Sequence, residues 1–304
     1  MAVMATITLT VTLSAKNMQQ NIFYITFKGL FRMTCKKIKN TTEEYHAGEG
    51  ISRSNLFYMS VSPQWFQYCR ENPEPPTNAM VFGNAFHKAV LEPKAFDGEF
   101  VVCPDVDLRT REGKAVYGSF LEESAGKTVI SRSEYEAIQG MRESVLANKY
   151  ASALVSGECE MSYYWTDELT GVLCKARPDA VKRLKNNGVI ADLKSCTRAD
   201  TESFTRDCIR YGYDLQAAIY KEAVEMESGI PHTFVFIAVE KTPPYMLNVM
   251  QADELMIRRG QELFREYIGI YAECEKTGNW YGYNGFGGMI NNLSLPAWLL
   301  KEFE

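Results

Sequence analysis

The sequence contains no C-x-x-C pair. Its eight cysteines, at positions 35, 69, 103, 159, 174, 196, 208 and 274, are scattered along 304 residues. That scatter argues against a zinc ribbon and against a cysteine-held iron–sulfur cluster. Free thiols in a reducing cytoplasm are the plain reading, so a cytoplasmic location is expected. No apolar run approaches the ~20 residues that a bilayer-spanning helix needs. The N-terminal "MAVMATITLTVTLSAKNMQQ" has no basic residue ahead of its apolar stretch, which makes it a poor signal peptide. Positive charge is not in excess either: 33 Lys and Arg stand against 38 Asp and Glu, a net charge of −5. Nucleic-acid binders often carry a basic surplus, but a local basic groove can sit on an acidic protein. There is no G-x-x-x-x-G-K-[ST] loop and hence no helicase motor, and neither H-E-x-x-H nor G-x-S-x-G occurs. "GFGG" near the end lacks the strand–helix unit of a dinucleotide loop.

What remains is a soluble globular composition, 46% hydrophobic and 23% charged, long enough for one large domain or two small ones. In "ISRSNLFYMSVSPQWFQYC", serines are placed to cap two short helices, with Pro63 at a favoured first-turn position. "MVFGNAFHKAVLEP" predicts a helix, with Phe82, Phe86 and Val90 at i+4 spacing and Pro93 ending the segment. Residues 97–128 read as two short apolar stretches around a polar loop that carries a basic cluster, Arg109, Arg111 and Lys114. Residues 131–149 predict a surface helix with a Ser131–Glu134 capping box. "ECEMSYYWTD" alternates with period two and predicts one half-buried strand. "VLCKARPDAV" and "VIADLKS", divided by "KNNG", predict two more. A long helix is expected over 201–228, a strand at "HTFVFIAVE", a last amphipathic helix over 252–277 and a loop-like Gly/Asn-rich tail.

The chemistry concentrates in "ARPDAVKRLKNNGVIADLKS". Side chains two apart on a strand share a face. Ile190, Asp192 and Lys194 should therefore point one way, with Val189, Ala191 and Leu193 in apolar packing. If the hairpin closes near Lys185 and Asn186, Asp179 lies opposite Asp192 or within a residue or two of it. Two carboxylates that close repel and raise each other's pKa unless a cation lies between them. A hard divalent metal such as Mg²⁺ resolves that repulsion, and Lys194 beside it suits attack on a phosphodiester.

Pro178-Asp179, twelve residues, then Asp192-Leu193-Lys194 resembles the signature of the PD-(D/E)-x-K nuclease superfamily. "YGYDLQAAIYKEA" carries Gln216 and Tyr220 at i, i+4, on one helix face. This is similar to the Q-x-x-x-Y element of the branch holding lambda-type exonuclease relatives, RecB-type nuclease domains and Cas4-like enzymes. "GNAFHKAVLEP" resembles that branch's G-x-x-x-H helix. Together with "GISRSNL" and "RTREGKA", these motifs most closely resemble the RecE-type (exonuclease VIII) nuclease domains, over about residues 43–280. The resemblance implies an α/β fold: a mixed central β-sheet flanked by helices, a restriction-endonuclease-like core, with an N-terminal helical subregion. Residues 1–42 would be an extension (a strand or a disordered, dispensable arm, with Met33 an alternative start), 43–280 the nuclease domain and 281–304 a C-terminal tail.

The same resemblance implies the site. Asp179 and Asp192 would ligate metal, with the backbone carbonyl of Leu193 a third ligand and Glu160 a further acidic one, Glu158 being an equally placed competitor. His87 would approach the metal from the helical region. Lys194 would be the catalytic lysine, and Gln216 and Tyr220 would orient water or the scissile phosphate. Arg109, Arg111 and Lys114 would contact the DNA backbone. The implied activity is a Mg²⁺-dependent (Mn²⁺ as substitute) 5′–3′ exodeoxyribonuclease acting at double-stranded DNA ends. It would leave 3′ single strands for recombination with a RecT-type single-strand annealing partner, as a homotetramer of phage or prophage type with no membrane association. The competing readings are another superfamily nuclease (an endonuclease or a Cas4-like repair enzyme), a non-catalytic DNA-end-binding module, and a structural protein of phage origin. The branch with four cysteines around an iron–sulfur cluster is not supported, because only Cys274 lies in the C-terminal region.

Overall fold

The computed structural model describes residues 34–296; the expectations for residues 1–33 and for the last eight residues of the tail lie outside that range. In chain order, β1 (Lys36–Ile38) leads to α1 (Thr42–Ala47), α2 (Arg53–Phe57), α3 (Pro63–Glu71), α4 (Asn78–Leu91) and α5 (Pro93–Glu99). Next come β2 (Phe100–Val102), α6 (Arg111–Glu123), β3 (Thr128–Ile130), α7 (Arg132–Ala147) and α8 (Lys149–Val155). The strands β4 (Glu158–Cys159), β5 (Ser162–Thr166), β6 (Leu173–Ala176), β7 (Ala180–Arg183) and β8 (Gly188–Cys196) follow. Then come α9 (Thr201–Tyr211), α10 (Tyr213–Ser228), β9 (His232–Glu240), β10 (Leu247–Gln251) and α11 (Glu254–Thr277).

The central sheet has five strands in the order β10-β9-β8-β7-β4. Only β8 and β9 run parallel, and the chain passes between them through α9 and α10, the crossover that parallel strands require. β8 and β9 are covered on both faces. On one, Ile190, Phe234, Phe236 and Ala238 pack into a cluster with Leu215, Ile219 and Phe264. On the other, Ala191, Leu193, Ile237 and Val239 pack with Phe86, Ile138 and Met141. Helices on both faces explain why "HTFVFIAVE" is an unbroken apolar run. The expected α/β architecture, a mixed sheet flanked by helices, is what forms.

Several local signals act as the sequence suggests. Ser52 and Ser62 cap α2 and α3, Pro63 opens α3, and Ser131 and Glu134 form a reciprocal capping box on α7. The Lys185–Asn186 turn is closed by the Leu184 N–H donating to the Asn187 carbonyl at 2.8 Å.

Five expectations are corrected. The strand expected over "VLCKARPDAV" is two strands in different sheets, β6 and β7, divided at Arg177-Pro178-Asp179. The long helix over 201–228 is two helices, broken at Gly212, whose φ of +64° is left-handed; a Cβ there would lie 2.5 Å from the Phe57 ring. The strand expected over 158–167 is two strands in different sheets, because Glu160 between them takes φ +54°. The second half of the polar loop around Arg111 is helix α6. Residues 36–42, grouped above with the extension, are part of the fold: Lys36–Ile38 pair antiparallel with β5, and Thr42 opens α1.

Candidate active site

The register of β7 against β8 assembles the site. Ala180 pairs with Ala191, so Asp179, one residue before β7, falls opposite Asp192. Asp179 is 7% exposed and Asp192 wholly buried. The Asp179 Oδ2 accepts the Leu193 amide N–H at 2.7 Å and lies 3.3 Å from His87 Nδ1. The Leu193 peptide meets Asp179 through its N–H, whereas the sequence reading assigns its carbonyl to the metal. His87 reaches it from α4, whose Ala85, Phe86 and Ala89 are buried.

Glu160 arrives through its unusual backbone. Its left-handed φ, which costs a non-glycine residue about 1–3 kcal/mol, ends β4 and turns the side chain toward Asp179, while its N–H donates to the Asp179 carbonyl at 3.1 Å. Donor atoms of His87, Glu160 and Asp179 all lie within 4.8 Å of one another, a spacing that could hold a metal ion. Glu158 does not join them: it is exposed and paired with Lys37 at 3.0 Å. Alternation put both glutamates on one face, and the kink at Glu160 separates them.

A cavity of about 300 Å³ opens on this triad, with Arg53, Arg177 and Tyr220 also in its walls. Arg177, which directly precedes the Pro-Asp pair, was not assigned a role from sequence. Its Nε donates to Glu160 Oε2 at 2.6 Å, and its Nη1 donates to the Asn40 carbonyl at 3.0 Å and Ser162 Oγ at 3.2 Å. It ties the acidic triad to the segment after β1.

The second group sits behind the first. Asp192 Oδ1 accepts from Gln216 Nε2 at 2.7 Å, and the Lys194 ammonium closes on Oδ2. The Lys194 ammonium also lies 4.7 Å from the centre of the Tyr213 ring. Gln216 and Tyr220 both come from α10, but only Tyr220 lines the cavity. Asp192 is not among the three clustered donors; Gln216 holds its Oδ1 and the Lys194 ammonium pairs with its Oδ2. Arg109, Arg111 and Lys114 are exposed at the start of α6, away from the cavity walls, and Arg109 pairs with Asp107 at 3.0 Å.

The electrostatics follow from crowding carboxylates in a buried place. Burial, together with the neighbouring Asp179, pushes Asp192 up to about 6 despite Lys194. Burial and Asp179 likewise raise Glu160, against the pull of Arg177. Burial disfavours charge on His87, but the adjacent Asp179 carboxylate outweighs it and the ring's pKa is raised. Burial would raise Asp179 as well; His87, Lys194 and the Leu193 N–H reverse that and hold it low. Burial moves the Tyr220 phenol well above its ordinary value, so it stays a hydrogen-bond donor.

The profile of the family described as "PDDEXK-like domain of unknown function (DUF3799)" matches residues 64–290, well over half of the chain. The chain belongs to this family. Among solved structures, a protein of Eubacterium rectale described as a "Putative exonuclease" superposes with a TM-score of 0.56 at 14% identity, covering 86% of this chain and 98% of that one. This is a likeness of fold. SSO0001 (15% identity, covering 60% of this chain and 85% of that one) and VC1899 from Vibrio cholerae (11%, 81% and 60%) reach TM-scores of only 0.26 and 0.24 and carry no argument. No curated protein matches. The PD-(D/E)-x-K assignment agrees with the geometry, since the two halves of the motif meet across β7 and β8. Among the described residues no helix is long and apolar enough to cross a membrane.

Proposed function

We propose that this chain is a divalent-metal-dependent deoxyribonuclease, and specifically an exonuclease that digests the 5′ strand of duplex DNA. The carrying observation is the convergence of His87, Glu160 and Asp179 within 4.8 Å at a cavity, with Asp192, Lys194 and Gln216 adjoining. Two carboxylates and an imidazole suit a hard cation, and the upward shift that burial and Asp179 impose on Glu160 marks negative charge that a cation would relieve. His87, Glu160 and Asp179 would hold it, with Asp192 and the Leu193 carbonyl completing the set. When bound, Mg²⁺ or Mn²⁺ supplies positive charge against the phosphodiester and acidifies water.

The protein's own groups do the rest. Gln216 keeps the Asp192 carboxylate aimed by holding Oδ1. The Lys194 ammonium, held beside Asp192, would offset charge that develops on a phosphate oxygen. The protonated Tyr220 phenol offers a donor in the cavity wall. Arg109, Arg111 and Lys114 are proposed contacts for the duplex backbone.

The 5′ direction, the 3′ single-stranded product for recombination, a RecT-type annealing partner and a homotetramer are supported by the RecE-type sequence resemblance. Linear duplex labelled at either 5′ or 3′ ends, and an intact circle, incubated with and without Mg²⁺ test the proposal. Release of 5′ label only, from linear DNA only and with metal only, is expected. Cleavage of circles would overturn the exonuclease reading, and equal degradation in chelator the metal-dependent one.

A further inference from the structure

Tyr213 has no part in the motif residues, yet it touches the lysine that the nuclease reading makes central. The Lys194 ammonium lies 4.7 Å from its ring centre, inside the range of about 6 Å over which an aromatic face attracts a cation. We propose that Tyr213 is a positioning residue: its ring face is the seat that holds the Lys194 ammonium beside Asp192. The inference rests on the reading of Lys194 as a catalytic group.

Three features make the seat a fixed one. Tyr213 packs among Phe204, Phe236 and Tyr211, with ring centres at 6.1, 6.2 and 5.8 Å, and Phe236 is the β9 residue in register with Asp192. Tyr213 is also the first residue of α10, three before Gln216 and seven before Tyr220, so all three share one helix face. The joint that starts this helix is clamped from α2. Arg53 Nε donates to the Gly212 carbonyl at 3.3 Å, and its other end closes on the Tyr211 carbonyl. Gly212 itself has no room for a side chain against Phe57. Burial, with the Asp192 charge, pushes the Tyr213 phenol up, so the ring is neutral and its face keeps its negative character. With the carboxylate on one side and the ring on another, Lys194 has two anchors, and either alone would leave a flexible four-carbon side chain free to turn.

The test is a series at one position. Tyr213→Phe keeps the ring and is expected to retain kcat within about threefold, whereas Tyr213→Leu should lower kcat roughly tenfold with KM unchanged. Phenylalanine carrying fluorines at the ring edge, incorporated at 213, has nearly the same shape and a weaker negative face. Its kcat should fall between the two at an unchanged melting temperature, which a purely structural role would not produce. A second readout needs no turnover: the Lys194 ε-methylene should show a ring-current-shifted NMR signal in the wild type and Tyr213→Phe that disappears in Tyr213→Leu.

A fluorinated variant as active as Tyr213→Phe, or a wild-type Lys194 signal with no such shift, overturns the inference. Lys194→Ala separates the two levels. If it is inactive and the Tyr213 series is flat, the seat is wrong and the catalytic lysine stands. If it turns over at the wild-type rate, the reading of Lys194 fails and takes the inference with it, whatever the NMR signal shows about geometry.

Discussion

Replacing Arg177 by methionine is the most demanding test of how the acidic triad is held. Its guanidinium and the Glu160 carboxylate are 2.6 Å apart, with side chains only 7% and 16% exposed. Removing one partner of a buried ion pair leaves the other charge uncompensated, typically at 3–5 kcal/mol, and the slight access of water to Glu160 puts the expected loss near the lower end, about 3 kcal/mol. Arg177→Met also deletes donors to Asn40 and Ser162, which works in the same direction. Urea unfolding of the metal-free protein at pH 7 reads the loss as a lower midpoint at unchanged slope. Glu160→Gln in the same background removes the stranded charge, so the double variant should regain at least ~1 kcal/mol relative to additivity. The pH dependence has a fixed sign. A carboxyl whose folded pKa is raised binds protons better folded than unfolded, so the Arg177→Met deficit should shrink as pH falls toward the carboxylate range. A deficit below ~1 kcal/mol with an additive cycle would refute the reasoning, because it would mean that water already screens Glu160.

Asp192→Ala should abolish cleavage and leave duplex binding, measured by gel shift, within a few-fold of wild type, since the groove survives; full activity would contradict the assignment. Gln216→Leu strips Asp192 Oδ1 of the side-chain donor 2.7 Å away, and an expected loss of about 1–3 kcal/mol in unfolding free energy should accompany slower turnover. Because Asp192 is pushed up to about 6, metal binding should weaken as pH falls through that value and release protons there. Calorimetry in two buffers of different ionisation enthalpy measures the release, and an identical heat in both would count against Asp192 as a ligand.

The sequence made some of this legible and hid the rest for identifiable reasons. Asp179 opposite Asp192 was readable because strand pairing has period two and "KNNG" fixes a short turn. Glu160 could not be separated from Glu158 by alternation, since the residue that breaks the alternation is Glu160 itself, through a backbone angle that propensity does not predict. The break at Gly212 was masked by helical periodicity on both sides of a single glycine. Both faces of β8 proved to be covered: Ile190 shares a face with Asp192 yet is packed in the apolar cluster. Arg177 was visible inside "RPD", but its partners come from β5 and the segment after β1, which only the tertiary structure brings near. Tyr213 had a readable signal, the i, i+3, i+7 spacing with Gln216 and Tyr220.

The proposed activity requires one cation gripped where β7, the Glu160 kink and α4 meet. Crystals grown with Mn²⁺ and measured at its absorption edge locate that ion directly. The predicted result is an anomalous peak about 2.1 Å from carboxylate oxygens of Glu160 and Asp179, with His87 in the same shell. A protein that binds Mn²⁺ only elsewhere, with these three side chains still turned toward one another, would contradict it.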